Sequence, residues 1–112
     1  MKWIHRHNRC IGITVFRIGK RQLELWWCPG GEQIEPHFHN QIDSTLIMLG
    51  GEMEGNIAGR VGRTGWYDFL RRFHIPAGTV HSARVTGMFC LFANYEKWTG
   101  TPTSAAVDFT TQ

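Results

Sequence analysis

Gly31-Glu32-Gln33-Ile34-Glu35-Pro36-His37-Phe38-His39-Asn40-Gln41-Ile42-Asp43-Ser44 sets two histidines one residue apart where a strand is expected to begin. Side chains alternate across a β-strand, so His37 and His39 point to the same side. Two imidazoles on one face are natural ligands for a divalent transition metal. The same parity, if the strand stays regular, continues through Gln41 and Asp43, and a carboxylate at 43 would join them. Downstream, His81 follows the turn Pro76-Ala77-Gly78 and opens another strand. A ligand from a distant strand is how a β-barrel closes such a site.

Working outward, glycine occurs 13 times and punctuates short apolar stretches, while amphipathic helical pattern is scarce. That combination predicts an all-β chain. Strands are expected at Ile11–Ile18, Gln22–Cys28, Ile34–His39, Thr45–Leu49, Glu52–Ala58, Phe73–Ile75, Thr79–Val85 and Met88–Tyr95. Turns fall at Gly19-Lys20-Arg21, Cys28-Pro29-Gly30-Gly31-Glu32 and Gly50-Gly51, with a loose connection through Gly59, Gly62 and Gly65. The stretch from Trp66 to Phe73 reads equally as a strand or a short helical turn. Val107-Asp108-Phe109, in a Thr-rich tail, reads as a terminal strand or an arm. Seven or eight short strands mean a sandwich or a barrel, which pattern alone does not separate.

The 112 residues are the length of one domain, read as a single unit over 1–112 with N- and C-terminal arms. The formal charge of +3 is mild and its basic residues are scattered. This speaks against nucleic-acid binding and fits an anionic small substrate. No apolar run reaches membrane-spanning length, and the start lacks a secretory pattern, so no membrane association and a cytoplasmic location are expected. Cys10, Cys28 and Cys90 are an odd set without a CxxC pair. One disulfide is possible, but reduced, buried thiols are the simpler expectation. No phosphate loop precedes a helix and no GxSxG elbow exists. His5 and His7 form a second HxH pair near the terminus with no obvious partner. His74 suits a hydrogen-bonded supporting role better than a ligand.

These spans resemble the two signature motifs of the cupin superfamily. Gly31 stands six residues before His37, His39 closes the HxH, Asp43 follows after three residues and Gly50 after six more. The second motif, centred on PxGxxH, reads Pro76-Ala77-Gly78-Thr79-Val80-His81. The resemblance covers about residues 31–85. It implies a double-stranded β-helix, or jelly-roll barrel, with His37, His39 and His81 binding iron, manganese, zinc or nickel as neutral imidazoles. The family glutamate is absent: counting to Gly50 puts Asp43 in its place, and counting to Gly51 puts Ser44 there. Leu70 and Val85 stand where the family has glycine and asparagine.

By the same resemblance, alternate side chains face a cavity. Arg84, Arg72, Gln41, Asn94 and Tyr95 are the polar candidates, although a surface position suits Arg71 and Arg72 better. Trp26 and Trp27 face opposite ways in a regular strand. One fills core, and the other, taken as Trp27, lines the pocket mouth or an interface. Met48, Met53, Met88 and Phe92 are expected in the core. Asp43 is the candidate general base if it is not a ligand, with Gln41 as a neutral donor beside it. The resemblance implies a metal-dependent small-molecule enzyme (dioxygenase, isomerase, lyase or decarboxylase), or else a non-catalytic small-molecule or sugar-binding module. It also implies a homodimer.

Overall fold

The structure is a computed structural model describing residues 3–111. Segments rich in β-branched and aromatic residues between glycine turns form strands. These are β1 (Ile4–His7), β2 (Cys10–Ile18), β3 (Arg21–Pro29), β4 (Gln33–Phe38), β5 (Ile42–Ile57), β6 (Arg60–Thr64), β7 (Arg72–Ile75), β8 (His81–Trp98) and β9 (Thr110–Thr111). No helix long and apolar enough to cross a membrane occurs among the described residues.

All the ladders are antiparallel, and β8 is their axis. Along one edge it pairs with β5 from Ile42↔Trp98 to Ile57↔His81. Along the other it pairs with β3 through its C-terminal half and with β4 through its N-terminal half. β1 and β2 extend the sheet beyond β3, β9 lies beyond β4, and β6 and β7 pair with the free edge of β5. Two register shifts on β5, at Met48/Gly50 and Gly51/Met53, let this long strand bend and the sheet curl. Gly51 has φ 77°, and a methyl group there would overlap the Phe89 carbonyl oxygen, so the bend requires glycine.

The inner face carries the even-numbered residues of β3 and, from Cys90 onward, of β8. Trp26, Cys28, Cys90 and Phe92 pack there with Met48, Met53 and Val85. Further along the same strands the layer turns polar, and Gln22, Glu24, Asn94 and Glu96 are all buried. Ile42, Trp98 and Ala105 form a second apolar cluster beside that layer.

Several expectations are corrected. Thr45–Leu49 and Glu52–Ala58 are one bulged strand, as are Thr79–Val85 and Met88–Tyr95, because Gly50-Gly51 and Gly87 bend strands without ending them. The connection through Gly59, Gly62 and Gly65 contains β6, and the terminal strand is Thr110–Thr111 rather than Val107–Phe109. Between Trp66 and Leu70 the chain forms turns, and only Arg72 and Phe73 join β7. Met88 is 91% exposed, lying on the β8 bend outside the core. His5 has partners: its Nε2 lies 2.7 Å from Thr14 Oγ1 and 3.4 Å from Glu24 Oε2. Cys10 and Cys28, opposite each other on β2 and β3, form a disulfide, leaving Cys90 as the free, buried thiol. Disulfides persist in oxidising compartments, so the thiol argument for the cytoplasm loses its basis.

Candidate metal centre

Both motifs meet at the β4–β8 ladder. His37 on β4 pairs directly with His81 on β8, and His39 follows just past the end of β4. The Pro76–Gly78 turn is fastened to the same place, since the Gly78 N–H donates to the His39 carbonyl at 2.8 Å. One potential ligand atom from each of His37, His39 and His81 lies within 4.8 Å of the others. The ring centroids of His37 and His81 are 4.1 Å apart, and His39 sits 5.0 and 5.2 Å from them.

Each ring is held the same way. His37 Nδ1 bonds the Glu35 carbonyl at 2.7 Å, His81 Nδ1 the Thr79 carbonyl at 2.9 Å, and His39 Nδ1 the Asp108 carbonyl. A carbonyl only accepts, so each Nδ1 carries the proton and each Nε2 keeps its lone pair. Carbonyl-anchored imidazoles of this kind are the usual outer support of a metal ligand. Burial lowers all three pKa values. That of His37 falls to about 3, with the neighbouring His81 adding to the effect. At neutral pH the rings are uncharged, as metal binding requires. The donor set therefore fits a divalent transition metal.

The rings open on a cavity of about 560 Å³. Trp26, Ile34, Leu46, Phe73, Phe92 and Phe109 supply apolar wall, and Arg60, Arg71 and Arg72 lie along its border. Among the described residues, no aspartate or glutamate lines it. Phe109 stacks on His37 at 3.9 Å between centroids, and His7 packs on the other part of that ring at 4.4 Å.

Asp43 lies elsewhere. On β5, Ile42 and Ser44 point inward, so Asp43 points out and is exposed. Its Oδ1 accepts the Ala77 N–H at 2.8 Å, holding the turn that delivers His81. Ser44 takes the inward position and lines the cavity. Gln41 is exposed, with its side chain against Gly100. Trp27 is 42% exposed on the outer face, while Trp26 lines the cavity. Arg84 is exposed 3.7 Å from Glu54, and the Tyr95 hydroxyl accepts from Arg21 at 3.0 Å, both outside the cavity. Asn94 and Arg72 do border it, as do Arg71 and His74. Sequence reasoning missed Phe109, whose distance along the chain hides its place over His37.

No family model matches the chain, and no curated protein matches it. Solved structures do. KdgF from Halomonas sp. superposes with a TM-score of 0.76 at 17% identity, over 89% of this chain and 88% of that one. A cupin-2 domain from Rhodospirillum rubrum superposes with a TM-score of 0.72 at 13% identity, over 93% and 76%. This chain has the cupin fold. Another cupin-like neighbour, the DMSP lyase DddQ from Ruegeria pomeroyi, gives a TM-score of 0.72 at 16% identity, over 86% of this chain and 50% of that one. Within the cupin barrel seen here, the signature histidines converge while the position of the signature glutamate is left to Ser44 and an outward Asp43.

Proposed function

We propose that this chain is a metal-dependent enzyme acting on a small organic anion, with His37, His39 and His81 as the metal ligands. The observation that carries the reading is the trio of neutral imidazoles, each locked through Nδ1 to a carbonyl and opening on one apolar cavity. Iron, manganese, zinc and nickel all suit imidazole donors. When bound, such an ion supplies Lewis-acid polarisation of an oxygen-bearing ligand. The chain's own residues position the ligand and exclude water. The apolar wall desolvates it, and Arg60 and Arg72 favour negative charge, while Arg71 is paired with Asp68 at 3.5 Å. KdgF and the DMSP lyase among the neighbours are compatible with small-molecule chemistry in this barrel. Dioxygenase, isomerase, lyase and decarboxylase chemistry all remain within the reading.

A second reading, a non-catalytic binding module, is favoured by one observation. Asp43, the candidate general base, faces away from the cavity and no other carboxylate replaces it. The reading also includes a homodimer. Ile4 and Ile13, register partners on the outer sheet face, are both exposed beside Trp27 and begin an apolar row that continues through the partly buried Leu25. A two-fold partner would cover that row with its own.

Elemental mass spectrometry of protein purified without added metal tests the centre. One ion per chain is expected, and its loss in His37→Ala/His39→Ala. Metal-free protein that takes up none of the four ions on reconstitution would overturn the reading. Should metal bind while no small organic anion is ever turned over, the binding module stands instead.

A further inference from the structure

Among the described residues, two buried side-chain oxygens on the cavity wall have no hydrogen-bond partner in the protein: Ser44 Oγ and Asn94 Oδ1. The residues are 2% and 4% exposed. Ser44 stands opposite Glu96 in the β5–β8 ladder and Asn94 opposite Leu46, so the two are diagonal neighbours on the inner face. Diagonal neighbours on one face stand about 7–8 Å apart, with their Cβ atoms somewhat closer. Buried polar groups are ordinarily paired, and leaving one unpaired is unfavourable.

The orientation of Asn94 is determined by what lies behind it. Its Nδ2 donates to Glu96 Oε2 at 3.0 Å. Glu96 is in turn held through Oε1 by Gln22 Nε2 at 3.0 Å and Trp98 Nε1 at 2.9 Å. With the Glu96 proton engaged by Glu24, turning the amide over would set its oxygen against the Glu96 oxygen. Asn94 Oδ1 is therefore left without a donor, and it can only accept. Ser44 can donate as well as accept. A carboxylate set between them would be repelled by Oδ1, and an ether or halogen would leave it unpaired. A hydroxyl satisfies both, donating to Asn94 Oδ1 while accepting from Ser44 Oγ.

We propose that Ser44 and Asn94 form a hydroxyl-recognising subsite on the cavity wall, so that the ligand of this pocket is a hydroxylated organic anion with an apolar body. The inference rests on the reading of this cavity as a ligand pocket, and deepens it. The arginines serve the charge, the apolar wall the body, and this pair the hydroxyl. A pocket built to pair a hydroxyl discriminates strongly against an analogue without one.

Phenol and fluorobenzene, nearly equal in shape, are the probes. Each is titrated into the full chain while the Asn94 side-chain amide and the Leu46 methyl groups are followed by NMR. Phenol is expected to bind about tenfold tighter and to shift the Asn94 amide. In Ser44→Ala and in Asn94→Leu that preference falls to near unity, with fluorobenzene affinity retained. Should Asn94→Leu not fold, Ser44→Ala decides alone, since it removes only an unpaired hydroxyl. Equal affinity of the two probes for the wild type would overturn the subsite and leave the pocket reading standing. Absence of any shift at Leu46 with either probe would remove the pocket reading and the subsite with it.

Discussion

At the scale of single residues, the polar layer beneath the cavity governs how the barrel responds to pH. Glu24 and Glu96 are both fully buried. Glu24 accepts from the Ser104 hydroxyl at 2.8 Å and the Ala105 N–H at 2.9 Å, tying down the C-terminal segment. Burial, then a hydrogen bond to Glu24 and its charge, push the Glu96 pKa up to about 10 from 4.5. The folded state thus binds a proton that the unfolded chain has released between those values. This contribution is complete below pH 4.5 and is lost as pH rises toward about 10. The melting temperature is expected to fall between pH 6 and pH 9. Glu96→Gln, which keeps a donor toward Glu24, is expected to flatten that fall and to be the more stable protein at pH 9. A wild-type melting temperature that rises across this range, with no difference in the variant, would contradict the assignment. None of this was legible in the sequence. On β3 the apolar Leu23, Leu25 and Trp27 share one face and Gln22 and Glu24 the other, and the alternation does not say which is inside.

At the scale of elements, the C-terminal segment and the β5 bend make the strongest predictions. Asp108 accepts the Asn40 N–H at 3.1 Å and the Gln41 N–H at 2.8 Å, while its own carbonyl holds His39. Asp108→Ala is expected to loosen that carbonyl and weaken metal binding about tenfold, the scale typical of outer-shell losses. A competition titration with a chromophoric chelator measures this, and unchanged affinity would show that the main chain alone holds the ring. On β5, Gly51→Ala forces a methyl group onto the Phe89 carbonyl at φ 77°. It is expected to cost more than about 2 kcal/mol in urea unfolding. Gly62→Ala, where nothing lies within 4 Å, is the comparison and is expected to change little. The strands were largely legible from the glycine punctuation, but their continuity was not. A Gly-Gly pair reads as a turn, whereas in the ladder it is a bulge paired to Cys90 and Leu91.

At the scale of the whole molecule, the outer sheet face carries the proposed dimer contact. Ile4, Ile13, Val15 and Trp27 are each at least 42% exposed. Exposed apolar patches of this kind mark association sites. Sedimentation equilibrium at tens of micromolar is expected to give a dimer. Ile13→Lys, whose side chain faces away from the metal centre, is expected to give a monomer with unchanged metal content. A wild-type chain that sediments as a monomer would remove the second copy from the reading.

The sequence by itself determined the all-β class, the cupin resemblance and the histidine trio. Those signals are local: a two-residue strand period puts His37 and His39 on one side, and Pro76-Ala77-Gly78 makes a turn wherever it occurs. The choice between Asp43 and Ser44, the burial of Glu24 and Glu96, the Cys10–Cys28 bond and the place of Phe109 were decided only by the tertiary structure. The first two depend on strand register between segments far apart in the chain, where a one-residue change exchanges the inside and outside of a strand; the bond needs β2 set against β3, and Phe109 needs the C-terminal segment laid along β4.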